Sequence, residues 1–589
     1  MRHISAAFAN VLGGSPSSTA ASHVALIPVP MSRTPLFRLL QRSYRAASYS
    51  IVHAEPIDEV LDRRDATRAL RVAAREGQGM SRRQFVAGTA AVAAVATLDA
   101  CAPAAPTPAA TPRQGDGGPP VLIIGAGIAG LTAGYRLRQA GVPFRIIEAQ
   151  NRVGGRMYSL RNFFADGQVC ELGGELIDTP HERIQSLAQE LGIVLDDLSK
   201  DDPTVRHETF YFDGAIRGER DVVAAFVPLA RLVAAAIAPL GADPNVGYRD
   251  AAPAAVALDR MSITQWLDGA GASGWFRRLI DVAYTTEYGL PPDRQSALNF
   301  LLLIDPEPEP FRIFGVSDER YHVHEGNDLI VRTLGERLGD AIETNTVLES
   351  IDRRADGTYV CSLRRGSSST NATSPHVIVT VPFTLLRDVR LNLPLPEVKR
   401  RAIAELGYGT NAKLMVGFSS RVWREQHRTN GSVLTDLPFQ LTWETSRAQS
   451  GRAGILTNFT GGAHGVELGQ GTAAEQATRL VTDLERVYPG VAAARAGMKE
   501  VRFHWPSFPW TRGSYAGYLV GQWTGFGGAE GEPVEGLHFA GEHCSRYAQG
   551  FMEGGCETGE QAAKHVAEAR GKRVGSVRRF EPRRLLAVR

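Results

Sequence analysis

Residues 121–156 read VLIIGAGIAGLTAGYRLRQAGVPFRIIEAQNRVGGR, and this stretch decides the fold. Val121-Leu122-Ile123-Ile124 is a short, branched, apolar run of the kind that forms a buried parallel strand. Gly125-x-Gly127-x-x-Gly130 follows and opens a helical pattern with Ala129, Ala133, Leu137 and Ala140 on one face. Gly141 closes that helix, and Phe144-Arg145-Ile146-Ile147 reads as a second strand ending at Glu148. Each part has a physical task. Gly125 permits the tight turn, Gly127 lets the backbone approach a pyrophosphate, and Gly130 lets helix and strand pack closely. The helix N-terminus offers free N–H groups and a partial positive charge to the phosphates. Glu148 is placed to accept hydrogen bonds from the ribose hydroxyls of an adenosine. Strand, glycine turn, helix, strand and acid in this order make a dinucleotide site in an α/β, Rossmann-type fold.

Further motifs narrow the dinucleotide. Arg152-Val153-Gly154-Gly155-Arg156 is a second glycine turn that lets a loop cross phosphates, with Arg156 able to neutralise them. Glu171-Leu172-Gly173-Gly174-Glu175 gives a third close backbone approach. Leu537-His538-Phe539-Ala540-Gly541-Glu542 reads as a strand ending in Gly-Glu, suited to a ribityl chain, and Gly550-Phe551-Met552-Glu553-Gly554-Gly555 opens another helix. As an ordered set these motifs resemble the flavin-dependent amine oxidase family, which includes monoamine oxidases, polyamine oxidases and L-amino acid oxidases. The resemblance runs from about Pro120 to Ala567. It implies FAD, and a second, α+β substrate domain with a helical subdomain. It also implies cofactor contacts at Gly125, Gly127, Ala129, Gly130, Glu148, Ala149, Gly155, Arg156, Gly173, Gly174, Val347, Trp505, Gly541, Glu542, Phe551 and Met552.

The same resemblance assigns chemistry. Lys413, in a strand-like run ahead of Trp423, matches the family lysine that holds a water against flavin N5. A strand lysine between apolar neighbours is otherwise costly to bury. Ser514 stands where monoamine oxidases carry a cysteine bonded to the flavin; a serine forms no thioether, so FAD is expected to be non-covalent. Tyr515 and Phe551 fall where the family has two rings flanking the substrate amine, and Glu175 and Trp443 join them as substrate-binding candidates. Gln150 replaces a common family arginine and removes one phosphate contact. The implied reaction is hydride transfer from the amine-bearing carbon to flavin, imine hydrolysis, and reduction of dioxygen to hydrogen peroxide.

The substrate is read as a small molecule bearing an amine. L-amino acids stand ahead of simple amines, with monoamine or polyamine oxidation as the alternative. An amino acid needs a cation for its carboxylate, and Arg183, Arg447 and Arg546 are the candidates by proximity to motifs. Glu175 and Glu287 are acids near the expected slot and favour a basic side chain. A reading from another class stays open: proteins of this fold that chaperone lipidated GTPases bind no flavin. The later flavin motifs, intact here, favour the enzyme.

Around this core the chain has 589 residues, 43% hydrophobic and 22% charged, with a formal net charge of +2. That is room for two sizeable domains and gives no reason to expect nucleic acid as a partner. The expected division is an FAD domain over residues 121–190, 325–388 and 500–570, and a substrate domain over 191–324 and 389–499. Helices are expected within 181–191, 222–240, 262–269 and 275–284, with 208–318 mainly helical. Met80-Ser81-Arg82-Arg83-Gln84-Phe85-Val86 is a twin-arginine motif followed by an alanine-rich apolar run, so residues 80–101 read as an export signal engaging the twin-arginine translocon. Such signals sit near a chain start, which makes residues 1–79 an over-long start or pre-region. Leu98-Asp99-Ala100-Cys101 resembles a lipoprotein cleavage box with Cys101 as lipid acceptor. Residues 102–120 form a Pro-rich linker, and residues 571–589 a basic tail whose one acid is Glu581. Localisation outside the cytoplasm, periplasmic or extracellular, follows. Cys170, Cys361, Cys544 and Cys556 show no ligand spacing, so no metal site is expected. No pattern sets an oligomeric state.

Overall fold

A computed structural model describes residues 118–574 except 203, 242–245 and 304–317. The signal motif, Cys101 and most of the basic tail lie outside these residues.

The strand Val121–Ile124 sits at the centre of a five-stranded parallel sheet. Its order is Leu537–Phe539, Val377–Val379, Val121–Ile124, Phe144–Ile147 and Ile342–Glu343. Ile123 lies beside Ile146 on one side and Ile378 on the other. Alternate residues of the central strand serve different layers. Val121 and Ile123 pack with helices Ile128–Gln139, Glu182–Leu191, Asp328–Leu338 and Met552–Ala569. Leu122 and Ile124 pack against a second, four-stranded sheet, ordered Ser368–Ser374, Tyr359–Arg365, Val347–Arg353 and Arg390–Asn392. A strand covered on both faces needs apolar residues at every position, which is why this one shows no polar alternation.

The glycine turn ties the first strand to its helix. A Cβ on Gly130 would stand 1.9 Å from the carbonyl oxygen of Gly125, so only glycine lets the first helical turn lie on the strand end.

A seven-stranded sheet forms the other half. Its order is Glu500–Phe503, Ala412–Phe418, Gly454–Thr460, Leu441–Glu444, Val433–Thr435, Thr209–Phe212 and Ala215–Arg217. Helices Glu219–Ile237, Ile263–Gly269, Gly274–Tyr288 and Ala297–Leu301 share one core with it. Ser262 and Gln265 form a capping box at the start of the second of these, as the polar-then-apolar pattern there favours. The expectation of a mainly helical 208–318 needs one correction. Thr209–Phe212 and Ala215–Arg217 form a hairpin whose turn is Asp213-Gly214. Asp213 and Gly214 both take positive φ, the requirement that Asp-Gly meets in a tight hairpin.

Several histidines are deeply buried. Burial lowers His538 and His543 to about 4 and His181 to about 3. In the unfolded chain each returns to an ordinary value near ~6.5. Between about pH 6.5 and 4 the unfolded state therefore holds more protons, so stability falls as pH falls through that window. We expect His543→Phe, which keeps the packing against Phe383 at 4.5 Å, to flatten the stability profile there. Denaturant unfolding at several pH values measures it; an unchanged slope would show that His543 carries charge in the folded state.

Candidate active site

The first helical turn faces a cavity. Gly127 caps helix Ile128–Gln139 without any side-chain bond to its free N–H groups, and a Cβ there would meet nothing within 4 Å. The Gly127 backbone thus borders open space at a helix N-terminus, where a pyrophosphate is stabilised by N–H donors and the helix dipole. Helix Met552–Ala569 also starts at this wall, with Phe551 as its uncapped N-cap. Glu148 ends the second strand inside the cavity. Its carboxylate accepts from Ala126 N at 2.7 Å and Gln150 N at 2.8 Å, which orients it; burial nevertheless pushes its pKa up.

The cavity measures about 720 Å³, within the range of ligand pockets. The expected cofactor contacts, with Lys413, Glu175, Trp443 and Tyr515, all line it except Gly130, which lies beneath the turn. Val347, Arg364 and Arg390 mark the end beside the four-stranded sheet; Lys413, Trp443, Phe459, Tyr515 and Phe551 mark the other. The donor set fits FAD. A helix N-terminus and glycine turn meet the phosphates, Glu148 the adenosine ribose, and an aromatic wall the flavin end.

Lys413 comes from strand Ala412–Phe418 and is 3% exposed. Its ammonium donates to Glu171 O at 3.0 Å, Gly173 O at 2.9 Å and Glu175 Oε2 at 2.7 Å. Those bonds use all three N–H groups, so the arrangement differs from the expected water-holding lysine. Glu175 is also different from the free acid the sequence suggested. Its second oxygen accepts from Trp443 Nε1 at 2.8 Å and Thr445 Oγ1 at 2.9 Å. Burial raises the carboxyl's pKa, but Lys413 and Trp443 outweigh it and hold it below the usual range.

Arg156 donates through Nη1 to Glu542 Oε1 and to Ser514 O, each at 2.8 Å. Glu542 in turn accepts from Gly550 N at 2.7 Å and Ala516 N at 3.2 Å, so one carboxylate joins three loops of the wall. Trp505 is anchored by its indole N–H to Leu172 O at 2.9 Å. Ser514 donates to Asn411 Oδ1 at 2.7 Å, and the Tyr515 hydroxyl to Glu287 O at 2.9 Å. The Phe551 ring packs on His181 at 4.9 Å.

Other expectations fail. Glu287 is buried in helix Gly274–Tyr288 and off the cavity wall, touching the site through its carbonyl. None of the three arginines reaches the cavity: Arg183 pairs with Glu560 at 2.6 Å, Arg447 donates to Glu444 O, and Arg546 to Val246 O. Each is drawn to a nearer acceptor. Sequence reasoning passed over Asp178 and Glu319, which line the cavity. Asp178 Oδ1 accepts from Glu319 N at 2.5 Å, a long-range contact without a local signal. Thr445 was also missed; it lies just past the strand end and donates to the same Glu175 oxygen as Trp443.

This fold and cavity define a flavoenzyme with a buried cation at the reacting end. Residues 128–567 match the family of flavin containing amine oxidoreductases. The chain is 24% identical over 458 residues to an L-amino acid dehydrogenase of Synechocystis, covering 76% of this chain and 94% of that one. It is 24% identical to flavin-containing amine oxidase B of Sus scrofa, covering 77% and 86%. Cyclohexylamine oxidase from Brevibacterium oxydans has the same fold, with TM-score 0.66 at 22% identity over 77% of this chain and all 100% of its own. Putrescine oxidase with bound putrescine gives 0.64 at 21%, over 76% and 98%. The chain belongs to the flavin-containing amine oxidoreductase family: it is an FAD-dependent oxidoreductase acting on CH–NH groups.

The two turn glycines should fail differently. Gly130→Ala forces backbone apart and is expected to destabilise the apoprotein by about 1–3 kcal/mol. Gly127→Ala fits the apoprotein but intrudes on the phosphates, so FAD binding should weaken at least about tenfold, or ~1.4 kcal/mol. Thermal unfolding with and without FAD separates the two.

Proposed function

We propose that this enzyme oxidises a small amine that carries a second positive charge, a diamine or polyamine. One observation carries the reading. Three carboxylates, Glu175, Asp178 and Glu319, line the cavity with Lys413, while the arginines Arg364, Arg390 and Arg512 line it at the end beside the four-stranded sheet. The two other lining cations, Lys413 and Arg156, are each paired with a carboxylate, Glu175 and Glu542, so the remaining acids bias the cavity toward a cationic substrate. Bound FAD supplies the hydride acceptor, and dioxygen takes the electrons as hydrogen peroxide. Tyr515 and Phe551 orient the reacting amine between their rings, whose faces attract a cation. The negative charge that Asp178 and Glu319 add to the lining attracts the distal ammonium. The imine hydrolyses once released to water. Likeness to an L-amino acid dehydrogenase supports a second reading, oxidation of a basic L-amino acid.

Comparison of kcat/KM decides between them. A diamine should exceed the monoamine of equal length by at least about tenfold, ~1.4 kcal/mol of transition-state binding. A basic L-amino acid surpassing its decarboxylated diamine would establish the second reading. If neither reduces the flavin, both fall.

We further propose that FAD is held non-covalently, because a hydroxyl occupies position 514. Acid precipitation should release intact FAD to the supernatant; flavin retained in the pellet contradicts this. Export through the twin-arginine route is the proposed localisation, with Cys101 as lipid acceptor. Replacing Arg82 and Arg83 with lysine should leave folded, flavin-loaded enzyme in the cytoplasm, and fractionation reads the outcome.

A further inference from the structure

We propose that Glu175 is a positioning residue that sets the electrostatics of the flavin cavity, by fixing the Lys413 ammonium and cancelling its charge. Five observations carry this. Both groups line the cavity, and their 2.7 Å ion pair is buried on each side, with side chains 4% and 6% exposed. Lys413 has two further acceptors, both backbone carbonyls, which orient the ammonium without neutralising it. Among the described residues Glu175 is the one carboxylate it touches. The neighbouring acid, Glu171, is committed elsewhere: it accepts from His322 Nε2 at 3.0 Å, Asn327 N at 2.8 Å and Ser159 Oγ at 2.7 Å.

Trp443 and Thr445 complete the device. Both donate to Glu175 Oε1, leaving Oε2 aimed at the lysine. Thr445 is itself held by a contact with Thr457. The carboxylate is therefore locked by neutral donors on one oxygen and balanced by a cation on the other, as a buried charge requires. The pair is polar, pre-oriented and neutral. A buried unpaired charge acts strongly at short range where dielectric is low. Loss of either partner would thus alter the flavin's tendency to accept electrons, because reduction adds negative charge to the cavity.

The test is the midpoint potential of the bound flavin, measured by equilibration with a reference dye. Glu175→Gln keeps the shape and the acceptor oxygen that Trp443 and Thr445 bond, but loses the acceptor facing Lys413 and leaves its charge uncompensated. Its potential should rise by at least tenfold in the two-electron equilibrium, about 30 mV. Lys413→Met leaves a carboxylate that either keeps its charge, lowering the potential, or takes a proton, leaving it unchanged; in neither case does the potential rise. The double variant Glu175→Gln/Lys413→Met should return to within threefold of the parent equilibrium. Thr445→Val disturbs the same carboxylate without changing charge and should also stay within threefold. A Glu175→Gln potential equal to the parent's, or a Thr445→Val shift as large as that of Glu175→Gln, overturns the proposal. Should Glu175→Gln fail to load flavin, a raised potential in Lys413→Met, or a double variant far from the parent, overturns it equally.

Discussion

The structure depends on the contact between the carbonyl of Gly125 and Gly130 in the first helical turn. At a Cβ distance of 1.9 Å, no side chain fits between them. That approach seats the helix on the end of the central strand and turns its unbonded N–H groups into the cavity. The partner strands then deliver their own ends to the same place: Glu148 after one, Thr380 after another, Gly541 and Glu542 after a third. A parallel sheet gathers strand ends on one edge, and ligands bind at that edge.

The reacting end is built differently. Lys413 lies on the seven-stranded sheet, and its acceptors come from the segment Glu171 to Glu175. Burying an ammonium there is offset only because three acceptors converge on it. The two halves of the molecule are therefore joined through charge as well as apolar packing. The ion pair of Arg156 with Glu542 is a tie within the dinucleotide half, linking the glycine turn near residue 155 to the wall near the C-terminal helix.

Much of this was legible in the chain. The pattern of residues 121–156 determined the strand, turn, helix and acid, because local sterics of glycine and uninterrupted apolar runs have few solutions. The later motifs around Gly155, Gly173, Gly541 and Phe551 named a further part of the cavity wall, since each needs close backbone approach or a helix start. The Thr209–Phe212 and Ala215–Arg217 hairpin was readable in principle from Asp213-Gly214 but was masked by the long apolar helix after it.

Charge pairing was not legible. Whether Glu175 is a free acid or the partner of Lys413 depends on a contact between residues 238 positions apart. The same holds for Asp178 with Glu319, and for arginines captured by nearer carboxylates and carbonyls. Residue types and spacing determined where backbone must come close to a dinucleotide, because that is local geometry. Only the tertiary structure decided which charges cancel, because electrostatic balance is set by distance in space and by exclusion of water, neither of which a linear pattern encodes.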